Sequence, residues 1–377
     1  MQKILSVFGT RPEAVKMAPV IKALEASPDA FQSVVCSTGQ HAEMLDQILQ
    51  VFDIKPDYDL RLMSAGQDLF DITSRVLIGM RDVIAIEKPD WILVHGDTNT
   101  TMAASLAAFY SRTKLAHVEA GLRTYQKHAP FPEEINRRIG DLLADLYFAP
   151  TESTRNNLLS EQVTPDRISV TGNTAIDALL WASDKMKEFN NPIPALDHLD
   201  WNRGTILVTA HRRENFGEGI ENICLALLEI TRLYPRMNII FSVHLNPNIQ
   251  SIVRKMLADT SNIALIPPQD YQHFVWPMNR AHIILTDSGG IQEEAPALKK
   301  PVLVMRDVTE RPEGIASGVA KLVGTKPESI VRNVRNLIEN EHVYLEMVQA
   351  INPYGDGTAA LRILARLRAS ESSLQYA

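Results

Sequence analysis

WILVHGDTNTTMAASLAAFYSRTKLAHVEAGLRT, residues 91–124, reads as strand, helix, strand. A short apolar run from Trp91 to His95 has the composition of a buried strand, Thr101 to Tyr110 is rich in alanine and leucine as a packed helix is, and Leu115 to Val118 forms a second buried run. Repetition of this unit implies right-handed βαβ connections and a parallel sheet covered by helices on both faces. Upstream, Ile4 to Phe8 and Ser33 to Ser37 read as further strands; downstream, Leu146 to Phe148 does the same. Between them Glu43 to Phe52 places Met44, Leu45, Ile48, Leu49 and Phe52 on one helical stripe.

The alternation breaks between Phe189 and Gly204, where Asn190, Asn191, Pro192 and Pro194 are loop-forming residues, and then resumes. The second series comprises Thr205 to Thr209, Ile239 to Val243, Ile263 to Ile266, His282 to Thr286 and Pro301 to Met305. A chain of 377 residues exceeds one ordinary hydrophobic core, so two domains are expected. The boundaries read as residues 1–189, a linker 190–204, a second domain 205–353 and a charged helical tail 354–377. The fold class is α/β, with two Rossmann-like doubly wound parallel sheets; ligands of such sheets bind beyond the carboxyl ends of the strands, in a cleft.

Composition narrows the function. Hydrophobic residues at 45%, charged residues at 22% and aromatic residues at 6% describe a globular chain, not a disordered one. No apolar run approaches the roughly 18 residues of a membrane span, and Met1 to Phe8 lacks signal-peptide character, so a cytoplasmic protein without a membrane partner is expected. Cys36 and Cys224 form neither a disulfide framework nor a metal-ligand spacing. A formal charge of -7 argues against nucleic acid as the partner. No GxGxxG turn is present in the first βα connection, so nicotinamide binding gains nothing there, and neither cofactor nor metal is expected.

Polar motifs fall at the strand ends. In VFGTRPEAVKMAP, Val7 to Pro19, Arg11 and Lys16 open a helix after the first strand, a pairing that suits an anion. His95, Gly96 and Asp97 end another strand, and Asp97 reads either as a helix cap or as a catalytic acid. His117, Glu119 and Arg123 follow the next strand, while Glu133 and Glu134 precede a helix in FPEEINRR. Asp97, Glu119 and Glu133 thus converge on one sheet edge, where carboxylates raise one another's pKa and divide acid from base; a metal site is the weaker alternative.

In the second half TAHRRENFG presents His211, Arg212 and Arg213, and His211 read alone is as well explained by a structural hydrogen bond. In TDSGGIQEEAP, Ser288, Gly289 and Gly290 offer backbone amides to a diphosphate, and Glu294 lies one turn later, within reach of a ribose. Arg311 in RDVTERPEG brings a further cation, or pairs with Glu310 or Glu313. Gln269 and Phe274 in IPPQDYQHF provide an amide and an apolar wall for a base, although Phe274 also suits a core.

Together with TGQHAEMLDQ, HLNPN and NPYGDG, these segments in this order resemble the non-hydrolysing UDP-N-acetylglucosamine 2-epimerases across nearly the whole chain. The resemblance implies a GT-B-like pair of domains with an interdomain active site, a terminal helix packed back on the first domain, and a homodimer. It implies substrate contacts at Arg11, Lys16, Asp97, Glu119, His211, Gln269, Phe274, Ser288, Gly289, Gly290, Glu294 and Arg311, and catalysis by Asp97, Glu119 and Glu133 with His211. The implied partners are UDP-GlcNAc, UDP-ManNAc and UDP, and the implied role is supply of ManNAc-type precursors for surface polysaccharide. Some relatives are activated by a second UDP-GlcNAc, and Gln40, His41, Glu43, Arg212 and His244 match that pattern. Glu43 stands where some of these relatives carry glutamine.

Three other functions compete. A GT-B glycosyltransferase requires an acceptor site, a hydrolysing 2-epimerase releases ManNAc and UDP, and a UDP-sugar sensor dispenses with the carboxylates.

Overall fold

The structure is a computed structural model and describes residues 1–39, 42–62, 64, 66–187 and 191–372. The chain divides into two compact units, one comprising Met1–Ala178 with Gly355–Ala377 and the other Leu179–Tyr354.

Unit 1 is built on strands β1 (Gln2–Phe8), β2 (Phe31–Ser37), β3 (Tyr58–Asp59), β4 (Trp91–His95), β5 (Lys114–Val118), β6 (Leu146–Ala149) and β7 (Ile168–Val170). They form one parallel sheet in the order β3-β2-β1-β4-β5-β6-β7. The order reverses between β1 and β4, which is the switch point at which open α/β sheets bind ligands. Ile92, Leu93 and Val94 of β4 are fully buried, as a central strand covered on both faces requires.

The helix Asn99–Tyr110 follows β4 directly. Thr98 caps it by accepting from the Thr101 amide at 3.2 Å. Its alanines at 103, 104, 107 and 108 are buried, and their small side chains let it pack between the helices Leu69–Glu87 and Glu133–Leu143. The helix Arg11–Glu25 starts at Thr10, where Glu13 reaches back to complete a capping box.

Unit 2 repeats the pattern with β8 (Thr205–Ala210), β9 (Asn238–Val243), β10 (Ile263–Ile266), β11 (Ile283–Thr286), β12 (Val302–Val304) and β13 (Ala320–Leu322). These strands are parallel in the order β10-β9-β8-β11-β12-β13. The two sheets share a topology: a first strand at the centre, two strands to one side and the rest to the other. The segment expected as a linker contributes Ile193, Leu196 and Leu199 to the core on which Trp276 packs. No helix among the described residues is long and apolar enough to cross a membrane.

The helix Ala359–Ser372 belongs to unit 1 and packs against the helix Arg11–Glu25. Its start is held by Asp177, which accepts from the amides of Ala359 at 3.2 Å and Ala360 at 2.9 Å. Leu364 and Leu367 are then buried. Asp177→Ala removes this cap and is expected to cost about 1–2 kcal/mol, read as a lower urea midpoint for the transition that reports unit 1.

Candidate active site

In unit 1 the turns after β1, β4 and β5 meet. Glu13 ties the first two together: buried at 2% exposure, it accepts from the amides of Gly9 at 3.0 Å and Thr10 at 2.8 Å and from Thr98 Oγ1 at 2.6 Å. His117, at 0% exposure, ties the second to the third. Its Nδ1 lies 2.6 Å from Asp141 Oδ1 and its Nε2 lies 2.7 Å from the Gly96 carbonyl. Both neighbours accept, so both ring nitrogens donate and the imidazole is charged. Burial opposes that charge, but Asp141 and the Gly96 carbonyl outweigh burial and raise the His117 pKa. Arg123 completes the buried support, donating to Asp141 Oδ2 at 2.7 Å.

On this frame stand Lys16, His95, Asp97 and Glu119. Lys16 Nζ donates to Glu119 Oε2, and His95 Nε2 lies 3.6 Å from the same oxygen. Glu119 has φ 65, a left-handed conformation uncommon for a side-chain-bearing residue and frequent where backbone strain is retained for function. Asp97 pairs with Arg137 at 2.8 Å, and Asn136 Nδ2 donates to the Asp97 carbonyl at 3.1 Å.

The two carboxyls are driven apart. Burial raises the Glu119 pKa, but the charge of Lys16, with His95 beside it, outweighs burial and holds this carboxyl far below the ordinary range. At Asp97 burial is the larger effect and, with the charge of Glu119, raises the pKa against the pull of Arg137. Neighbouring groups with opposed shifts are the arrangement by which one acid and one base share a site.

The two glutamates of FPEEINRR separate clearly. Glu134, at 0% exposure, accepts from the amides of Thr124 and Tyr125, each at 3.0 Å, and so fixes the loop after β5. Glu133 begins the helix Glu133–Leu143, and its buried Oε2 makes no hydrogen bond among the described residues. Arg11 is half-buried at the first position of its helix.

Unit 2 assembles a second set of strand-end turns around Asp287. This fully buried carboxylate accepts from the amides of His211 and Arg212, both at 2.9 Å, and from Asn215 Nδ2 at 3.0 Å. His211 Nδ1 lies 3.2 Å from Asp287 Oδ1, so the proton of neutral His211 faces the carboxylate and Nε2 remains an acceptor. Burial lowers the His211 pKa, and Arg212 and His244 add to that, against the opposing pull of Asp287. The rings of His211 and His244 stack with centroids 6.0 Å apart.

Ser288 precedes the helix Gly289–Glu294. A Cβ on Gly290 meets nothing within 4 Å, leaving its backbone open to a ligand, while one on Gly289 faces the Arg212 guanidinium at 3.5 Å. Arg311 pairs with Glu293 and also donates from Nη1 to the Glu310 carbonyl at 3.1 Å; Glu293 is buried, so the guanidinium is drawn toward the Gly289–Glu294 helix. Gln269 Nε2 donates to the Pro267 carbonyl at 2.7 Å, and Phe274 is half-buried against the unit 2 core. Glu294 closes the short helix. Gln40 and His41 lie outside the described residues, and of Glu43 only the backbone, in the helix Ala42–Val51, is described.

The family model for UDP-N-acetylglucosamine 2-epimerase matches residues 22–368. The chain belongs to this family. It is 55% identical to the UDP-N-acetylglucosamine 2-epimerase of Yersinia pestis over 99% of its own length and 100% of the relative. The crystal structure of the Neisseria meningitidis UDP-GlcNAc 2-epimerase bound to UDP-GlcNAc superposes with TM-score 0.83 at 50% identity, covering 97% of this chain and 99% of that one. The Methanocaldococcus jannaschii enzyme in complex with UDP-GlcNAc and UDP gives TM-score 0.74 at 34% identity, covering 97% and 99%. The family's two Rossmann-like sheets are those described above.

In the sequence Asp287 stands out only by preceding SGG and Arg137 only by following PEE, Glu134 is paired with Glu133 with nothing to tell them apart, and Asp141 carries no signal. The division of labour between the paired glutamates is directly testable. Glu134→Gln places an amide against two backbone donors and is expected to destabilise the protein by about 1–3 kcal/mol in chemical denaturation, whereas Glu133→Gln changes stability by under about 0.5 kcal/mol.

Proposed function

We propose that this protein interconverts UDP-GlcNAc and UDP-ManNAc without hydrolysis, by eliminating UDP to 2-acetamidoglucal and adding it back. The observation that carries this reading is the pair of neighbouring carboxyls with opposed protonation tendencies, Glu119 and Asp97. No carbonyl acidifies the hydrogen at carbon 2, so direct deprotonation demands too strong a base. Departure of UDP from carbon 1 builds oxocarbenium character that acidifies this hydrogen, and a carboxylate then suffices.

Ionised Glu119 is the base and Asp97 the acid in one direction, their roles exchanging in the other, with Glu133 presenting its unpartnered oxygen to the sugar. Arg11, His211, Arg311 and the amides at Ser288 to Gly290 receive the diphosphate and stabilise the charge it gains on leaving. Lys16 adds positive charge beside Glu119. Gln269 and Phe274 hold the uracil and Glu294 the ribose. The product serves as a ManNAc-type precursor for surface polysaccharide, and the protein acts in the cytoplasm as a homodimer. Arg212 and His244, with Gln40, His41 and Glu43, form the regulatory contact for a second UDP-GlcNAc.

Proton NMR of UDP-GlcNAc incubated with the protein in heavy water tests the reading. UDP-ManNAc carrying deuterium at carbon 2 is expected; free ManNAc with UDP means hydrolysis, and an unchanged, undeuterated substrate contradicts epimerisation. Asp97→Asn and Glu119→Gln are expected to lower kcat by about 100-fold or more while calorimetric UDP affinity changes by less than about threefold.

The charge beside Glu119 makes a further prediction. Its depressed pKa keeps the base ionised well into acid, and this is lost only as pH falls through the depressed value. Removing the ammonium in Lys16→Met lets the pKa rise, so the acid limb of kcat/KM moves to higher pH, which a pH–rate profile reads directly.

A further inference from the structure

His95 occupies the last position of β4 and is 3% exposed, yet neither ring nitrogen makes a hydrogen bond among the described residues. A buried polar group that makes no hydrogen bond is rare and needs a reason. Its backbone is firmly placed. The His95 carbonyl accepts from Thr101 Oγ1 at 2.5 Å, and the next residue, Gly96, is held through its carbonyl by His117 at 2.7 Å. The imidazole is therefore fixed with Nε2 at 3.6 Å from Glu119 Oε2, two residues before Asp97. It is close enough to Asp97 for its charge to bear on that carboxyl too. The cations facing these acids are Lys16 at Glu119 and Arg137 at Asp97, and a guanidinium does not exchange its proton in this role.

Resting on the elimination and re-addition reading, we propose that His95 is a proton-relay residue that resets Glu119 and Asp97 between turnovers. The need follows from the balance of the reaction. The base takes the hydrogen of carbon 2 as a proton, the C–H electron pair becomes the C1=C2 bond, and the C1–O pair leaves with UDP. On return the acid gives its proton to the opposite face of carbon 2, and a UDP oxygen pair re-forms the bond to carbon 1. The sugar nucleotide is isomerised, and the enzyme is left with one proton moved from acid to base.

A second turnover in the same direction requires that proton to travel back. His95 accepts it at one nitrogen from the protonated carboxyl and releases one from its ring to the ionised carboxyl. Charge and atoms balance with no outside reactant, and either a ring flip or a reverse turnover restores the starting tautomer. This function explains a buried imidazole that forms no structural hydrogen bond.

The test compares single-turnover and steady-state kinetics of the full-length protein with each UDP-sugar by quenched flow. In His95→Gln and His95→Ala the first equivalent of product is expected at a rate within about threefold of wild type, followed by a kcat lowered about tenfold or more. Added imidazole, which fits the space vacated in His95→Ala, is expected to restore kcat without changing the first turnover. A purely structural role predicts neither the burst nor the rescue. The proposal is overturned if the first turnover slows as much as kcat, if kcat is unaffected, or if imidazole does not act on a folded His95→Ala protein. Should that variant fail to fold, the burst in His95→Gln decides alone. Absence of epimerisation by the wild type in the same assay refutes the underlying reaction instead.

Discussion

The half-buried pairing of Lys16 with Glu119 is the constraint around which unit 1 is arranged. An ion pair partly removed from water does little for stability, because desolvating the charges consumes most of the attraction between them. Its consequence here is chemical. The ammonium keeps a carboxylate ionised in a place where burial alone would protonate it, while Asp97, nearby, is driven the other way. Glu119 accepts a left-handed backbone at φ 65 to stand there, and the surrounding turns are held so that it has no easier alternative.

Those turns are fixed by a repeated device: a buried acid behind the loop, accepting backbone amides or orienting a histidine. Glu13 binds the amides after β1, Asp141 charges His117 so that it grips Gly96, and Glu134 secures the chain at Thr124 and Tyr125. Asp287 does the same beneath His211 and Arg212 in unit 2. In each case the structural acid is buried, while a residue beside it in sequence is less so. Asp287 stands next to Ser288, and Glu134 next to Glu133. Rigid support of this kind lets loop residues act with the precision that acid–base chemistry demands.

How much of this was legible in the sequence depended on length and on partners. Five strands of the first sheet and five of the second were readable as apolar runs. Tyr58–Asp59 was not, because two residues carry no periodicity, and Ile168–Val170 and Ala320–Leu322 each hold a polar residue, Ser169 or Lys321, where the equally short Val302–Val304 is all apolar. The strand-end motifs were readable because glycine and charge cluster there. What a linear reading could not do was tell a structural acid from a reactive one. Glu133 and Glu134 are chemically identical until the fold gives one of them two amide donors, and Arg311 pairs with Glu293 because the fold brings that buried carboxylate beside it. His95 carried no signal of its own, since its significance lies in hydrogen bonds it does not make.

The central claim, that the acid cluster manages the hydrogen of carbon 2 through an eliminated intermediate, is tested most directly by supplying that intermediate. The protein given 2-acetamidoglucal and UDP in heavy water, with products followed by NMR, is predicted to form UDP-GlcNAc and UDP-ManNAc that carry deuterium at carbon 2. If wild-type protein that binds UDP and interconverts the two UDP-sugars returns the glycal unchanged, elimination and re-addition is not its route.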